Sequence, residues 1–355
     1  MRNVKTMVYS LFLSILFFIG IPASAADMEY SISANIPENQ VDKSQTYFDL
    51  RMKPGQKQDL SLNISNAGDK EITLNVIPNV ATTNQNGVID FSEKDKEIDS
   101  SLKYPLTKLL SKEQKVTLAP KEKKVVSFSL QMPEEEFSGK IVGGFYVYKD
   151  ESGEKERKSE GGVQITNKYA MVVGVQLTEK DDSVVPELKL NTIQPSLLNY
   201  RTAVTANLQN TQPTFVNDLK VVAKVSKKGA TEVIHQTTKE ELAMAPNSNF
   251  DFPISWDNQE LAPGKYSLDL VASNKDKEWR FQKDFEIKAK EVKKLNEEAI
   301  EVKKEPNYWA IGGIVASIVI VIAAVIILIV KIRKEKKRKE ALAKKRKKRK
   351  NKQGK

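Results

Sequence analysis

The sequence predicts an all-β ectodomain of two tandem immunoglobulin-like β-sandwiches, then a short helical stalk and one transmembrane helix. Three observations carry this. Period-two alternation of apolar and polar residues runs from about residue 29 to 287, broken by Pro, Gly and Asn turns. Helix formers of mixed charge take over only at Lys288. An uncharged run of 23 residues, Tyr308 to Val330, then meets a dense run of Lys and Arg.

Residues 1–25 read as a signal peptide. Arg2 and Lys5 precede Met7 to Ile19, an apolar core too short to span a bilayer comfortably, and Ala23-Ser24-Ala25 supplies small residues for cleavage before Ala26. No cysteine follows that core, which excludes a lipoprotein anchor.

Residues 26–183 form the first expected sandwich. Glu29–Ile36, Asp59–Ile64, Glu71–Val76 and Val125–Leu130 alternate as half-buried strands do, separated by turns such as Lys53-Pro54-Gly55-Gln56 and Ala119-Pro120-Lys121-Glu122. One helical turn is expected at Pro105–Leu110. Gly139–Lys149 and Val163–Leu177 read as long, mostly buried strands around a polar, mobile hairpin tip at Asp150–Glu160. Gly143-Gly144 inside the first of these marks a bulge or a close backbone contact. The polar segment Thr178–Pro186 reads as a boundary across which the sandwiches fold separately.

Residues 184–290 form the second. Seven strands are expected, at Pro186–Leu190, Thr202–Leu208, Leu219–Val225, Thr231–Gln236, Asn249–Trp256, Leu261–Val271 and Trp279–Ile287. Trp256 and Trp279 are expected in the core. Tyr266, after Pro263-Gly264, could be a corner tyrosine, although an ordinary core aromatic is the simpler reading. Residues 291–306 are the helical stalk, interrupted at Pro306. Residues 307–330 are the membrane helix, about 34 Å long over its uncharged run, with Tyr308 and Trp309 at the headgroup level. Residues 331–355 are a basic tail, placed in the cytoplasm by the positive-inside rule.

Charge must be read by compartment. The chain holds 57 Lys and Arg against 46 Asp and Glu. The tail takes 16 of the former and 2 of the latter, leaving 41 against 44 and a net charge of −3 elsewhere. A mildly acidic ectodomain excludes nucleic acid as its partner. The tail lies where anionic lipid attracts it, at roughly 1 kcal/mol per basic residue near the surface. Its 25 residues leave no room for a folded signalling domain. Without any cysteine, an exported chain must be stable from its cores alone, which fits bacterial export and a thick-walled, single-membrane cell.

No catalytic set emerges, and no cofactor or metal site is expected. The one histidine, His235, is expected as a partly exposed strand residue. The carboxylate clusters Glu134-Glu135-Glu136, Asp181-Asp182 and Glu240-Glu241 fall in expected loops, where solvated charge is the default and a paired-carboxylate hydrolase the alternative. Thr82 to Glu93 matches a calcium loop at Asn84, Asn86, Gly87, Asp90 and Glu93. Thr82 stands where aspartate belongs and no helices flank it, so a tight turn at Asn86-Gly87 is simpler.

Seven runs, in order, carry a resemblance. They are Tyr47–Gln58 (YFDLRMKPGQKQ), Ala81–Asp90 (ATTNQNGVID), Ser101–Pro105 (SLKYP), Val173–Leu177 (VGVQL), Pro186–Leu190 (PELKL), Ala206–Asn210 (ANLQN) and Met244–Ile254 (MAPNSNFDFPI). With the flanking segments they resemble the WxL-interacting proteins of Gram-positive bacteria across the whole chain. The resemblance implies a peptidoglycan-binding-type first domain and a host-binding-type second domain. It implies peptidoglycan, WxL-domain surface proteins and a host extracellular-matrix protein as partners, and offers no catalytic residues. The expected function is a membrane-anchored, non-enzymatic binding scaffold of the cell surface. A cell-wall enzyme, or a regulator of one, using loop carboxylates is the alternative.

Overall fold

The computed structural model describes residues 29–94, 96–151, 169–301 and 308–350. The expected signal peptide, most of the Asp150–Glu160 tip, the start of the Val163–Leu177 run and Pro306 lie outside the described residues. The described residues up to Glu301 form one compact unit, and those from Tyr308 a second.

The first sandwich contains β1 (Tyr30–Asn35), β2 (Phe48–Arg51), β3 (Lys57–Asn66), β4 (Ile72–Val80), β5 (Thr82–Thr83), β6 (Ile89–Asp90), α1 (Leu106–Leu109), β7 (Gln114–Leu118), β8 (Lys123–Gln131), β9 (Ile141–Lys149) and β10 (Ala170–Thr178). A three-stranded sheet, β1-β3-β8, faces a five-stranded sheet, β2-β10-β9-β4-β7. Every pairing within them is antiparallel except that of β2 with β10. Alternation dictates the core: Leu60, Leu62 and Phe128 from one sheet meet Leu74, Phe145, Val147 and Val175 from the other. The Phe145 ring centroid lies 4.7 Å from that of Phe128 and 6.2 Å from that of Phe48. The helical turn at Pro105–Leu110 is present as α1, with Leu106 buried against β9. There the glycine reading holds, since a Cβ on Gly143 would sit 2.3 Å from the Asn79 carbonyl oxygen.

The second sandwich has the expected seven strands: β11 (Leu188–Leu198), β12 (Arg201–Asn210), β13 (Val216–Lys227), β14 (Val233–Met244), β15 (Ser248–Ser255), β16 (Gly264–Ser273) and β17 (Glu278–Ile287). They form the sheets β11-β12-β15 and β14-β13-β16-β17. Strand β11 runs further than expected, through Pro195, which its edge position allows. Glu240-Glu241 lie within β14 and not in a loop, because β14 continues to Met244 beside β13. Trp256 and Trp279 are buried in the core. Tyr266 is both core and corner: it is buried, and its hydroxyl donates to the Ala262 carbonyl at 2.8 Å.

The expected short helix before the membrane span is present as α2 (Ala289–Glu298), and it docks on the second sandwich. Val292 is buried in that core, Leu295 packs against it, and Asn296 brackets Leu261, accepting from its N–H at 2.9 Å and donating to its carbonyl at 3.1 Å. Val292 and Leu295, three apart, form a narrow apolar stripe among charged residues.

The two sandwiches also meet directly beyond the Thr178–Pro186 boundary. Ala243 N–H donates to the Gly87 carbonyl at 2.7 Å, and Lys140 N–H to the Pro213 carbonyl at 2.8 Å. Gly139 has φ +83°, and a Cβ there would lie 2.4 Å from the Pro213 oxygen, so only glycine fits this approach. Asn247 donates to the Ser101 carbonyl at 3.0 Å.

The second unit is a single helix, α3 (Tyr308–Lys350), of 43 residues. Within Gly313–Lys339 an 18-residue window reaches a mean hydropathy of 3.4, and the helix is long and apolar enough to cross a membrane. The helix continues through most of the basic tail.

Candidate binding surfaces

Several of the residues with catalytic potential are occupied structurally. His235 is not partly exposed; it is 4% exposed, its ring tilted 30° against that of Trp256 with centroids 4.0 Å apart, and Nδ1 lies 2.8 Å from Asp257 Oδ2. The Trp256 ring arrives from the end of β15, which sequence spacing within β14 cannot reveal. Glu135 accepts from Lys103 Nζ and the Tyr104 hydroxyl, which hold its carboxyl below the usual range. Glu136 pairs with Lys180, Asp181 with Arg51, and Glu240 with Lys220. Glu179, which the sequence does not single out, is pushed up by burial. It accepts from Phe137 N–H at 2.9 Å. Among the described residues, no group of three or more His, Asp or Glu side chains could hold a metal ion.

The Thr82–Glu93 segment folds as the hairpin β5–β6. Asn84 Oδ1 accepts from the N–H groups of Asn86 and Val88, and Gly87 has φ +71°. The asparagine serves its own turn. The hairpin carries Thr83 into the junction between the sandwiches, where its hydroxyl is buried.

Beside that junction lies a cleft of about 200 Å³, lined by Asp49, Arg51, Lys140, Gln176, Asp182 and Thr214 among others. Its polar groups satisfy one another: Gln176 donates to Asp49 Oδ1 at 2.7 Å and accepts from Lys140 Nζ at 3.2 Å. The volume is below the roughly 300–1,000 Å³ of most small-molecule sites.

The outer faces of the first sandwich differ sharply in chemistry. The β1-β3-β8 face is a ladder of hydroxyls, with Ser31 to Ser65 at 2.7 Å, Ser61 to Ser127 at 2.8 Å and Ser129 to Asp59 at 2.8 Å. The five-stranded face is aromatic. Phe145 and Val147 of β9 point into the core, so Tyr146 and Tyr148 point outward, their centroids 5.5 Å apart. Val172, paired with Tyr146 on β10, is 43% exposed. Paired glycines extend this surface: Tyr47 lies over Gly174, its Cβ 3.6 Å from where a glycine Cβ would stand, and Phe91 lies over Gly144 at 3.2 Å. Asn79 donates to the Phe91 carbonyl at 2.7 Å and fixes that ring's backbone. Asn75 flanks Tyr148 on β4, and Gln176 continues the face on β10. The sequence reading took β9 as mostly buried; the usable signal was the alternation Phe145-Tyr146-Val147-Tyr148.

The sequence matches the peptidoglycan binding domain of the WxL Interacting Protein family over residues 30–149. It matches the host binding domain of the same family over residues 160–297. No curated protein matches it. Similar solved structures include a chaperone–tip adhesin complex of CFA/I fimbriae, at 11% identity over 74% of this chain and 99% of that one, with a TM-score of 0.28. They also include the class 5 fimbriae chaperone CfaA (10%, 71% and 99%, TM-score 0.27) and the Pseudomonas aeruginosa CupB2 chaperone (12%, 64% and 92%, TM-score 0.22).

Proposed function

The chain belongs to the WxL-interacting protein family, and from that premise we propose that it is a non-enzymatic scaffold anchored in the membrane of a Gram-positive cell. In this reading the first sandwich associates with peptidoglycan and the second with a host extracellular-matrix protein. The scaffold retains WxL-domain surface proteins at the wall. The observation that carries it is the order of parts, a peptidoglycan binding domain, a host binding domain and then an apolar helix with a basic end. The positive-inside rule supports an outward ectodomain and a cytoplasmic C-terminus. The buried His235 and the lysine-paired carboxylates of Glu136 and Glu240 support a binding role over hydrolysis.

The test is co-sedimentation of the detergent-solubilised full chain with purified peptidoglycan, with and without a WxL-domain surface protein. The chain is expected to sediment with the wall and to carry the WxL-domain protein with it. A WxL-domain protein that sediments equally well without this chain removes the retention role. Release of soluble sugar or peptide from the peptidoglycan overturns the non-enzymatic reading.

A further inference from the structure

Resting on the reading that the first sandwich binds peptidoglycan, we infer that the outer face of β2-β10-β9-β4-β7 is the contact surface, and that it takes the neutral glycan strand through Tyr146, Tyr148, Val172 and Tyr47, with Asn75 alongside.

The inference starts from what this face costs the fold. Neither Tyr146 nor Tyr148 belongs to the sandwich core, and Val172 and Tyr47 are each more than a third exposed. The other face of the same sandwich closes itself with serine hydroxyls and needs no aromatic cover. A contiguous, partly exposed aromatic surface on a sheet marks a binding site more often than a structural need. Gly144 and Gly174 sharpen the point, because they leave room for Phe91 and Tyr47 to lie against the sheet.

The chemistry selects the ligand. A pyranose ring presents C–H bonds on its faces and hydroxyl or acetamido groups at its rim. The C–H bonds match the negative face of a tyrosine ring, and the rim groups match carboxamides, which both donate and accept. Asn75 supplies a carboxamide on the same face, whereas that of Gln176 is already engaged by Asp49 and Lys140. A charged peptide stem would seek unmatched charge instead. The lysine nearest Asn75 on this face, Lys115, is paired with Asp150 at 2.6 Å. From Ala170 to Gln176 the face runs about 20 Å along β10, long enough for an extended strand of several sugars.

The experiment titrates the detergent-solubilised full chain against two probes, intact purified peptidoglycan and glycan strands stripped enzymatically of their peptide stems. The variants are Tyr146→Ala/Tyr148→Ala and, because those rings are partly buried, Ala170→Arg at an exposed position of the same face. Val125→Ser, on the hydroxyl face, is the control. The wild type and the control should bind both probes, and both face variants should bind at least about tenfold more weakly. Thermal unfolding identifies a misfolded double variant, in which case Ala170→Arg decides. Wild-type binding by the face variants overturns this site and leaves peptidoglycan binding by the domain intact. Binding of intact peptidoglycan but not of stem-free strands overturns the glycan assignment in favour of the stems. No binding of either probe by the wild type overturns the parent reading with it.

Discussion

Thr83 of the first sandwich and Ser248 of the second share a buried hydrogen bond of 2.7 Å between their hydroxyl oxygens. Thr83 Oγ1 also accepts from Ala245 N–H at 3.0 Å, while Ser248 Oγ reaches the Ala245 carbonyl at 2.8 Å. Three residues thus close one ring across the junction. Thr83→Ala leaves the Ala245 N–H without that acceptor, so a loss of about 1–3 kcal/mol is expected in urea unfolding. Combined with Ser248→Ala, the cycle should show coupling of at least about 0.5 kcal/mol. Strict additivity would mean that the junction does not hold the sandwiches together.

The strands were legible in the sequence, because period-two alternation is a local property. The seven runs of the second sandwich show this, as does the turn at Pro105–Leu110. What was not legible is non-local. Nothing near His235 reports that Trp256 will cover it. Nothing in the polar hairpin Thr82–Asp90 says that Thr83 will be buried by a partner 165 residues away. Tyr146 and Tyr148 alternate with Phe145 and Val147, but both sets are apolar enough to read as one buried strand. Only the pairing with Val172 and the glycine floor show that one set is a surface. Val292 and Leu295 were hidden by the lysines and glutamates around them.

Asp99 links the same junction to pH. Burial pushes its carboxyl up, but hydrogen bonds from Ser101, Asn249 and Gln209 outweigh this and hold it below the ordinary carboxylate range. A pKa lower in the folded chain than in the unfolded one makes the ionised group stabilising. That contribution is complete above the unfolded value, near about 3.9, and is lost as pH falls through the folded value. Wild-type stability should therefore drop more steeply below about pH 4 than that of Asp99→Asn, with the two curves converging in acid. Parallel curves from thermal melts at pH 2 to 7 would show that these hydrogen bonds do not discriminate the ionised form.

The hairpin joining β11 and β12 turns through Asn199 and Tyr200, with φ of 50° and 61°. Both central residues are left-handed, as in the tight turns that favour glycine at the second position. The Tyr200 side chain is 67% exposed, while its carbonyl accepts from Ile300 N–H at 2.8 Å and so helps to seat the segment after α2. Tyr200→Gly keeps that carbonyl and relieves the backbone. It should raise stability by up to about 1 kcal/mol, part of the gain being offset by the entropy of the unfolded glycine. A loss of stability in urea would show that the exposed ring makes a contact of greater worth than the strain.

The basic tail should act on topology and not on ligand binding. Its 16 Lys and Arg residues follow the apolar stretch of α3 directly. In the proposed orientation, with the tail against an anionic inner leaflet, each residue near the surface would contribute roughly 1 kcal/mol, and together they would set which end of the helix stays inside. Replacing them with Gln removes both effects and leaves every ectodomain contact unchanged. Cells carrying the neutral tail should display less protein at the surface, or a C-terminal tag open to external protease. Peptidoglycan binding per displayed molecule should not change. If surface density and orientation stayed at wild-type levels while binding fell, the tail would be communicating with the ectodomain, and its assignment as an anchor would be wrong.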